Sequence, residues 1–162
     1  MSNKNFLVRG FTLVELLIVI GLTIILVTAT VPIYGSLQVK AQLSETSAQI
    51  AQSLRSARQN AIAGYFNNAY GVYFGNTVSP NFYTIYQGTS YATRSSSFDR
   101  VNTLDNAVSI VNVSLTTTTG GIDINFSKGL GVPNNIGSLN LTHSVQGSST
   151  ISVNALGKIQ EQ

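Results

Sequence analysis

"RGFTLVELLIVIGLTIILVTATVP", from Arg9 to Pro32, is the stretch that decides how the rest of the chain is read. Between Phe11 and Val31 the only charged side chain is Glu15, and the only other polar ones are Thr12, Thr23, Thr28 and Thr30. A helix of this length covers about 30 Å, the thickness of a bilayer's hydrocarbon core. The run therefore predicts a transmembrane first half of a long helix. Lys4 and Arg9 ahead of it predict a single pass through the cytoplasmic (inner) membrane, with the N-terminus cytoplasmic and the remainder outside. A cleaved secretory signal has a shorter apolar core followed by a small-residue cleavage site. This run is longer, and the helical pattern continues beyond Pro32.

Glu15 requires its own account, because a carboxylate at mid-bilayer depth costs roughly 2.5–3.5 kcal/mol and usually has a partner. Two readings are open. In one, Glu15 sits at the headgroup level and is hydrated. In the other it pairs with a positive group, and none lies among the apolar residues. A cut between Gly10 and Phe11 would create one, a new α-amino group, and would make Glu15 the fifth residue of the mature chain.

These residues resemble the processing motif of type IV prepilins and type II secretion pseudopilins: a basic leader, Gly10, then Phe11, Thr12, Leu13 and Glu15 opening a long apolar run. The resemblance implies a leader peptide over 1–10, cleavage after Gly10 by a prepilin peptidase, and N-methylation of Phe11. It also implies assembly with other pilin or pseudopilin subunits at an inner-membrane platform, with Glu15 answering a neighbour's terminal amine. Unit charges about 4 Å apart attract by roughly 4 kcal/mol at an effective dielectric of 20, and desolvation offsets part of that.

Past the apolar run the pattern changes. Pro32 removes a backbone hydrogen bond and predicts a kink at the end of a segment over 11–34. From 35 to 64 an amphipathic helix is predicted. Leu43, Ser47, Ile50, Leu54, Ala57 and Ala61 form one stripe, Ala51, Arg58 and Ile62 flank it, and Glu45, Gln49, Gln52, Ser56 and Gln59 stand opposite. Gly64 is a C-terminal stop.

Residues 65–162 read as a β-rich globular domain. Strands are predicted at Tyr70–Phe74, Phe82–Gln87, Val108–Thr116, Ile122–Phe126, Ser138–Ser144, Thr150–Asn154 and Gly157–Gln160. A hairpin loop joins the first two, and "TTTTGG" (Thr116–Gly121) and "QGSS" read as turns. Alternation places Ile122, Ile124 and Phe126 on one face and Asp123 and Asn125 on the other, as in a sheet covered on one side. A phase shift between Val108/Ile110 and Val111/Val113 predicts a bulge. Gly88–Asn106 reads as a decorated sheet edge. The expected class is α+β: a long N-terminal helix, transmembrane then amphipathic, packed on an antiparallel sheet domain.

Three further stretches, "LRSARQNAIAG", "INFSKGLGVP" and "TISVNALGKI", resemble the GspH/FimT-type minor pseudopilins. That resemblance implies a pilin-like fold and a minor subunit near a filament tip, supporting protein secretion or fibre initiation. The chain departs from two related groups. It has no cysteine for the disulfide loop of major pilins. It also lacks the acidic C-terminal calcium loop of major pseudopilins, Glu161 being the only acid after Asp123.

Composition narrows the remaining choices. Charged residues are only 9% of the chain, and its +3 charge falls to nearly neutral once Lys4 and Arg9 are set aside, with seven basic groups against six acidic. No nucleophile elbow, phosphate loop or His–Glu metal motif is present, and the single histidine, His143, ends a strand. No enzyme activity, cofactor or metal is expected. The alternatives are a minor pilin that captures DNA for uptake and an anchored adhesin suggested by the Tyr-rich strands. DNA capture would use Arg94, Arg100, Lys128 and Lys158, which Asp99, Asp105 and Glu161 dilute.

Overall fold

A computed structural model describes residues 10–75, 80–112, 114–118 and 121–162; the side chains of 29–33, 112 and 118 lie outside this description. The chain divides into two units, Met1–Gln38 and Val39–Gln162. One helix, α1 (Leu13–Ile62), contributes to both.

In the first unit the helix carries its apolar side chains outward. Every large hydrophobic residue described from Leu13 to Val27 is between 50% and 75% exposed. The expected transmembrane half of the α+β fold, and with it the single-pass location in the inner membrane, is corrected here. Among the described residues no helix is long and apolar enough to cross a membrane. The helix runs through position 32, but the side chain of Pro32 and the kink expected from it lie outside the described residues, as does the leader up to residue 9.

The second unit is a mixed body of helix and antiparallel sheet. One sheet has the order β3-β2-β1-β6-β5, from β1 (Tyr70–Gly75), β2 (Phe82–Gln87), β3 (Arg100–Thr103), β5 (Thr117–Thr118) and β6 (Gly121–Phe126). The other has the order β4-β7-β8-β9, from β4 (Val108–Asn112), β7 (Gly137–His143), β8 (Ser148–Val153) and β9 (Ile159–Glu161). Every strand pair is antiparallel.

The helical stripe is the shared core of both sheets. Leu43, Ser47, Ile50, Leu54, Ala57 and Ala61 are all buried. Around them cluster Val72, Phe74, Ile122, Ile124 and Phe126 of the first sheet and Ile110, Leu139, Leu141 and Ile151 of the second. Each fully buried Leu, Ile or Phe contributes about 1.5–3 kcal/mol, so the cluster gathered on this stripe holds much of the unit's stability.

Three distant pieces of sequence meet at the C-terminal end of the stripe. Arg58 Nε donates to the Gly131 carbonyl (3.2 Å), and Nη2 donates to the Leu156 carbonyl (2.9 Å). The first carbonyl belongs to the turn after β6, the second to the turn between β8 and β9. The Gly129 N–H donates to the Ala61 carbonyl (2.8 Å), satisfying one of the last-turn acceptors that a helix leaves open. The helix end, "SKGLGVP" and "NALGK" thus form one junction binding α1 to both sheets.

Three strand expectations change. β4 keeps regular register with β7 from Val108 to Asn112, so the bulge is absent there; Val113 lies outside the described residues. Thr117–Thr118, read as part of a turn, pairs with β6. Asp123 and Asn125, expected on an open face, are buried. The reason is that a second layer covers that side of the sheet, formed by the segment after β2. Residues 76–79, most of the expected hairpin loop, lie outside the described residues.

Leu54→Ala is expected to lower stability by about 2–5 kcal/mol in urea unfolding, whereas Leu156→Ala, on an exposed turn, should shift it by no more than about 0.5 kcal/mol. Equal effects would contradict the placement of the core on the helical stripe.

Candidate functional site

The residues of the expected cleavage motif lie at the start of α1. Gly10, Phe11 and Thr12 precede the helix, and all three are exposed. A β-carbon built on Gly10 would meet nothing within 4 Å. Gly10 and Phe11 therefore lie outside regular structure and are exposed.

Thr12 is the N-cap. Its carbonyl accepts the Leu16 N–H (3.1 Å) and its Oγ1 accepts the Glu15 N–H (3.2 Å). Thr12 and Glu15 thus stand at the spacing of a capping box, in which a threonine caps the N–H three residues on and a glutamate occupies that third position. Glu15 lies in the first turn, where the helix dipole favours an acid by about 0.3–1 kcal/mol. This intrachain role was legible in "TLVE" and adds a second reason for a carboxylate there. Among the described residues the ion pairs are Arg55–Glu161 and Arg94–Asp99, so the Glu15 carboxylate has no cationic partner within them.

The four basic candidates for DNA contact fall in different places. Arg94 Nε is paired with Asp99 Oδ2 at 2.7 Å, its Nη1 donates to the Tyr91 carbonyl at 2.8 Å, and its guanidinium lies 3.7 Å from the Tyr91 ring centroid. The bond to Asp99 raises its pKa and keeps it charged. Arg100, on the edge strand β3, lines a cavity beside Phe98. Lys128 donates to Asn67 Oδ1. Lys158 lines a separate cavity with Arg55 and Arg58. His143 bonds Gln42 Oε1 through Nε2 (3.1 Å) and accepts the Val145 N–H at Nδ1 (3.1 Å), which ties the end of β7 to the helix.

A buried polar group that the sequence reading missed holds the second layer in place. The Tyr86 hydroxyl donates to Asp123 Oδ1 at 2.5 Å and accepts from Asn125 Nδ2 at 3.1 Å, and the Tyr91 N–H donates to Asp123 Oδ2 at 3.0 Å. Asn125 Nδ2 also donates to the Gly88 carbonyl (2.8 Å). Tyr91 stacks on Tyr73 at 3.7 Å. The Tyr86 side chain crosses β1 at Gly71, where any β-carbon would meet its hydroxyl. Burial, followed by the bond to Asp123, raises the Tyr86 pKa far above its ordinary value. This group fastens Gly88–Arg94 onto the sheet. Among the described residues no three His, Asp or Glu side chains gather to hold a metal ion.

Comparison of the chain with protein-family models, with curated proteins and with solved structures gives no match.

Tyr86→Phe is expected to cost about 1–3 kcal/mol near neutral pH, because Asp123 loses a buried donor. The sign of the pH dependence follows from the raised pKa. Unfolded tyrosine ionises near about 10, while folded Tyr86 keeps its proton, so its contribution is complete below about pH 10 and is lost as pH rises further. Urea unfolding across that range should show a shallower alkaline decline in Tyr86→Phe than in the parent. Parallel declines would contradict the bond to Asp123.

Proposed function

We propose that the protein is a subunit of a type IV pilus or a type II secretion pseudopilus, processed between Gly10 and Phe11 and assembled through the first part of α1. The observation that carries this reading is the exposed apolar surface from Leu13 to Val27, which begins just after the processing motif. An apolar surface this extensive requires cover from another molecule. Sister helices would supply it at matching length and chemistry, with Glu15 as the one directional polar group to satisfy.

Glu15 gives the bundle its register. In a helix that is otherwise apolar from Leu13 to Val27, apart from Thr23, one carboxylate is the only group that distinguishes one axial offset from the next. A neighbour's free terminal amine at Phe11 is its partner. The globular unit, with two open antiparallel sheets that leave edge strands on each, fits a minor subunit placed near the filament tip. The partners under this reading are other pilin or pseudopilin subunits and a prepilin peptidase.

Co-expression with a prepilin peptidase, followed by mass determination, should give a chain lacking residues 1–10 and carrying one added methyl group on Phe11. Glu15→Gln separates capping from assembly: glutamine still serves at the third position of a capping box, but it carries no charge. The variant should be cut normally and enter filaments poorly, as should Glu15→Val. An uncut chain, or normal incorporation of both variants, would sink the reading.

A further inference from the structure

A cavity of about 310 Å³ lies where the end of α1 meets the second layer of the first sheet. Its rim is aromatic. Tyr65, Phe66 and Phe98 are 59%, 64% and 48% exposed. The Tyr65 and Phe66 rings meet edge to face at 4.8 Å, and Phe66 and Phe98 lie 5.5 Å apart. Three large aromatic side chains held together at the surface are not core material.

The backbone is strained to present them. Phe66 has φ 49° and ψ 24°, and Asn67 follows at φ 60°. A bulky residue in this left-handed region costs roughly 1–2 kcal/mol, and such strain persists only where surrounding contacts enforce it, most often at ligand-holding sites. The enforcing contacts are present: the Asn67 N–H donates to the Gly64 carbonyl (2.8 Å), and Lys128 holds the Asn67 side chain. On the far rim, Phe98 sits in a 3₁₀ turn (Ser96–Phe98). Arg94–Asp99 and the Tyr91–Asp123 bond anchor that turn to the sheet. Both walls are therefore fixed in advance of any ligand.

The chemistry of the lining selects the ligand class. Ser56, Asn60 and Ser97 bring neutral donors and acceptors into the cavity, and Arg100 brings one cation. Arg94 pairs with Asp99 Oδ2 and balances its charge, while Asp99 Oδ1 is buried without a hydrogen-bond partner and can accept one from a ligand hydroxyl. A polyanion needs several converging Lys or Arg groups, and an organic cation needs an uncompensated carboxylate; neither is found here. What fits aromatic faces beside neutral hydrogen-bonding groups is a ring with apolar C–H faces and hydroxyl edges. The C–H face packs on the electron-rich aromatic surface, and the hydroxyls reach Asn60, the serines and Arg100. The volume is at the small end of ligand pockets, about 300–1,000 Å³, with room for a monosaccharide and part of its neighbour. We propose that Tyr65, Phe66 and Phe98 frame a binding site for a neutral saccharide. This site is independent of the filament reading.

The test uses the full chain in a detergent without a sugar headgroup. Methyl glucoside, methyl galactoside and N-acetylglucosamine are titrated by ligand-observed NMR, with a single-stranded oligonucleotide as the competing probe. At least one saccharide should bind saturably with a Kd of about 1 mM, and added salt should not change it. Phe66→Asn keeps the left-handed conformation, which asparagine tolerates, and removes the ring; it and Phe98→Ala should each weaken binding by up to about tenfold. Failure of all three sugars to bind, binding indifferent to both variants, or salt-dependent binding of the oligonucleotide alone would overturn the proposal.

Discussion

One helix carries two apolar surfaces, and the described chain covers only one of them. From Leu43 to Ala61 the stripe is buried in a core that it shares with both sheets. From Leu13 to Val27 the apolar side chains stand at least half exposed. Covering a large aliphatic side chain is worth about 1.5–3 kcal/mol. The second surface stands to gain as much per side chain from being covered. The globular unit depends on the first surface in an equally direct way. Both sheets share a core with the helix, and the junction at Arg58 ties the helix end to a turn of each.

The second layer of the first sheet follows from a different interaction. Asp123 and Asn125 face away from the helix, and burying them demands hydrogen-bond partners. Tyr86, the Tyr91 N–H and the Gly88 carbonyl supply these. The segment from Gly88 to Asp99 is thereby fixed on the sheet, and the 3₁₀ turn carrying Phe98 comes to stand beside the strained Tyr65–Asn67 turn. Polar burial on one face of β6 thus has a consequence at the surface: it builds one wall of the aromatic cavity.

Much of this was legible in the sequence where periodicity is local. The spacing of Leu43, Ser47, Ile50, Leu54, Ala57 and Ala61 identified the buried stripe, and runs such as Phe82–Gln87 identified strands. Where the determinant is remote, the sequence was silent or misleading. The alternation of Ile122–Phe126 reads as one face in and one face out, because the covering layer comes from residues about thirty positions earlier. β3 is short, polar and exposed along its length, so no pattern marks it. The apolar content from Phe11 to Val31 reads as a membrane span, whereas among the described residues no helix is long and apolar enough for one. Of the candidate site, Gly10, Phe11 and Glu15 stood out by motif. The capping role of Thr12 was equally visible but was overshadowed by the question of charge. Phe66 and Phe98 are brought together only by the fold, and nothing in the linear order connects them. The three late motifs gain their physical meaning at Arg58, where they touch.

The central claim is that the exposed half of α1 is a surface for other copies of itself. The chain has no cysteine, so a single cysteine at Leu17 can report contact between helices without background. In cells that produce the processed protein, Leu17→Cys should form disulfide-linked dimers on mild oxidation, while a cysteine at the exposed Leu156 should not. If Leu17→Cys stays monomeric under conditions where the protein is fully processed, the helix does not bundle with its own kind and the account is wrong.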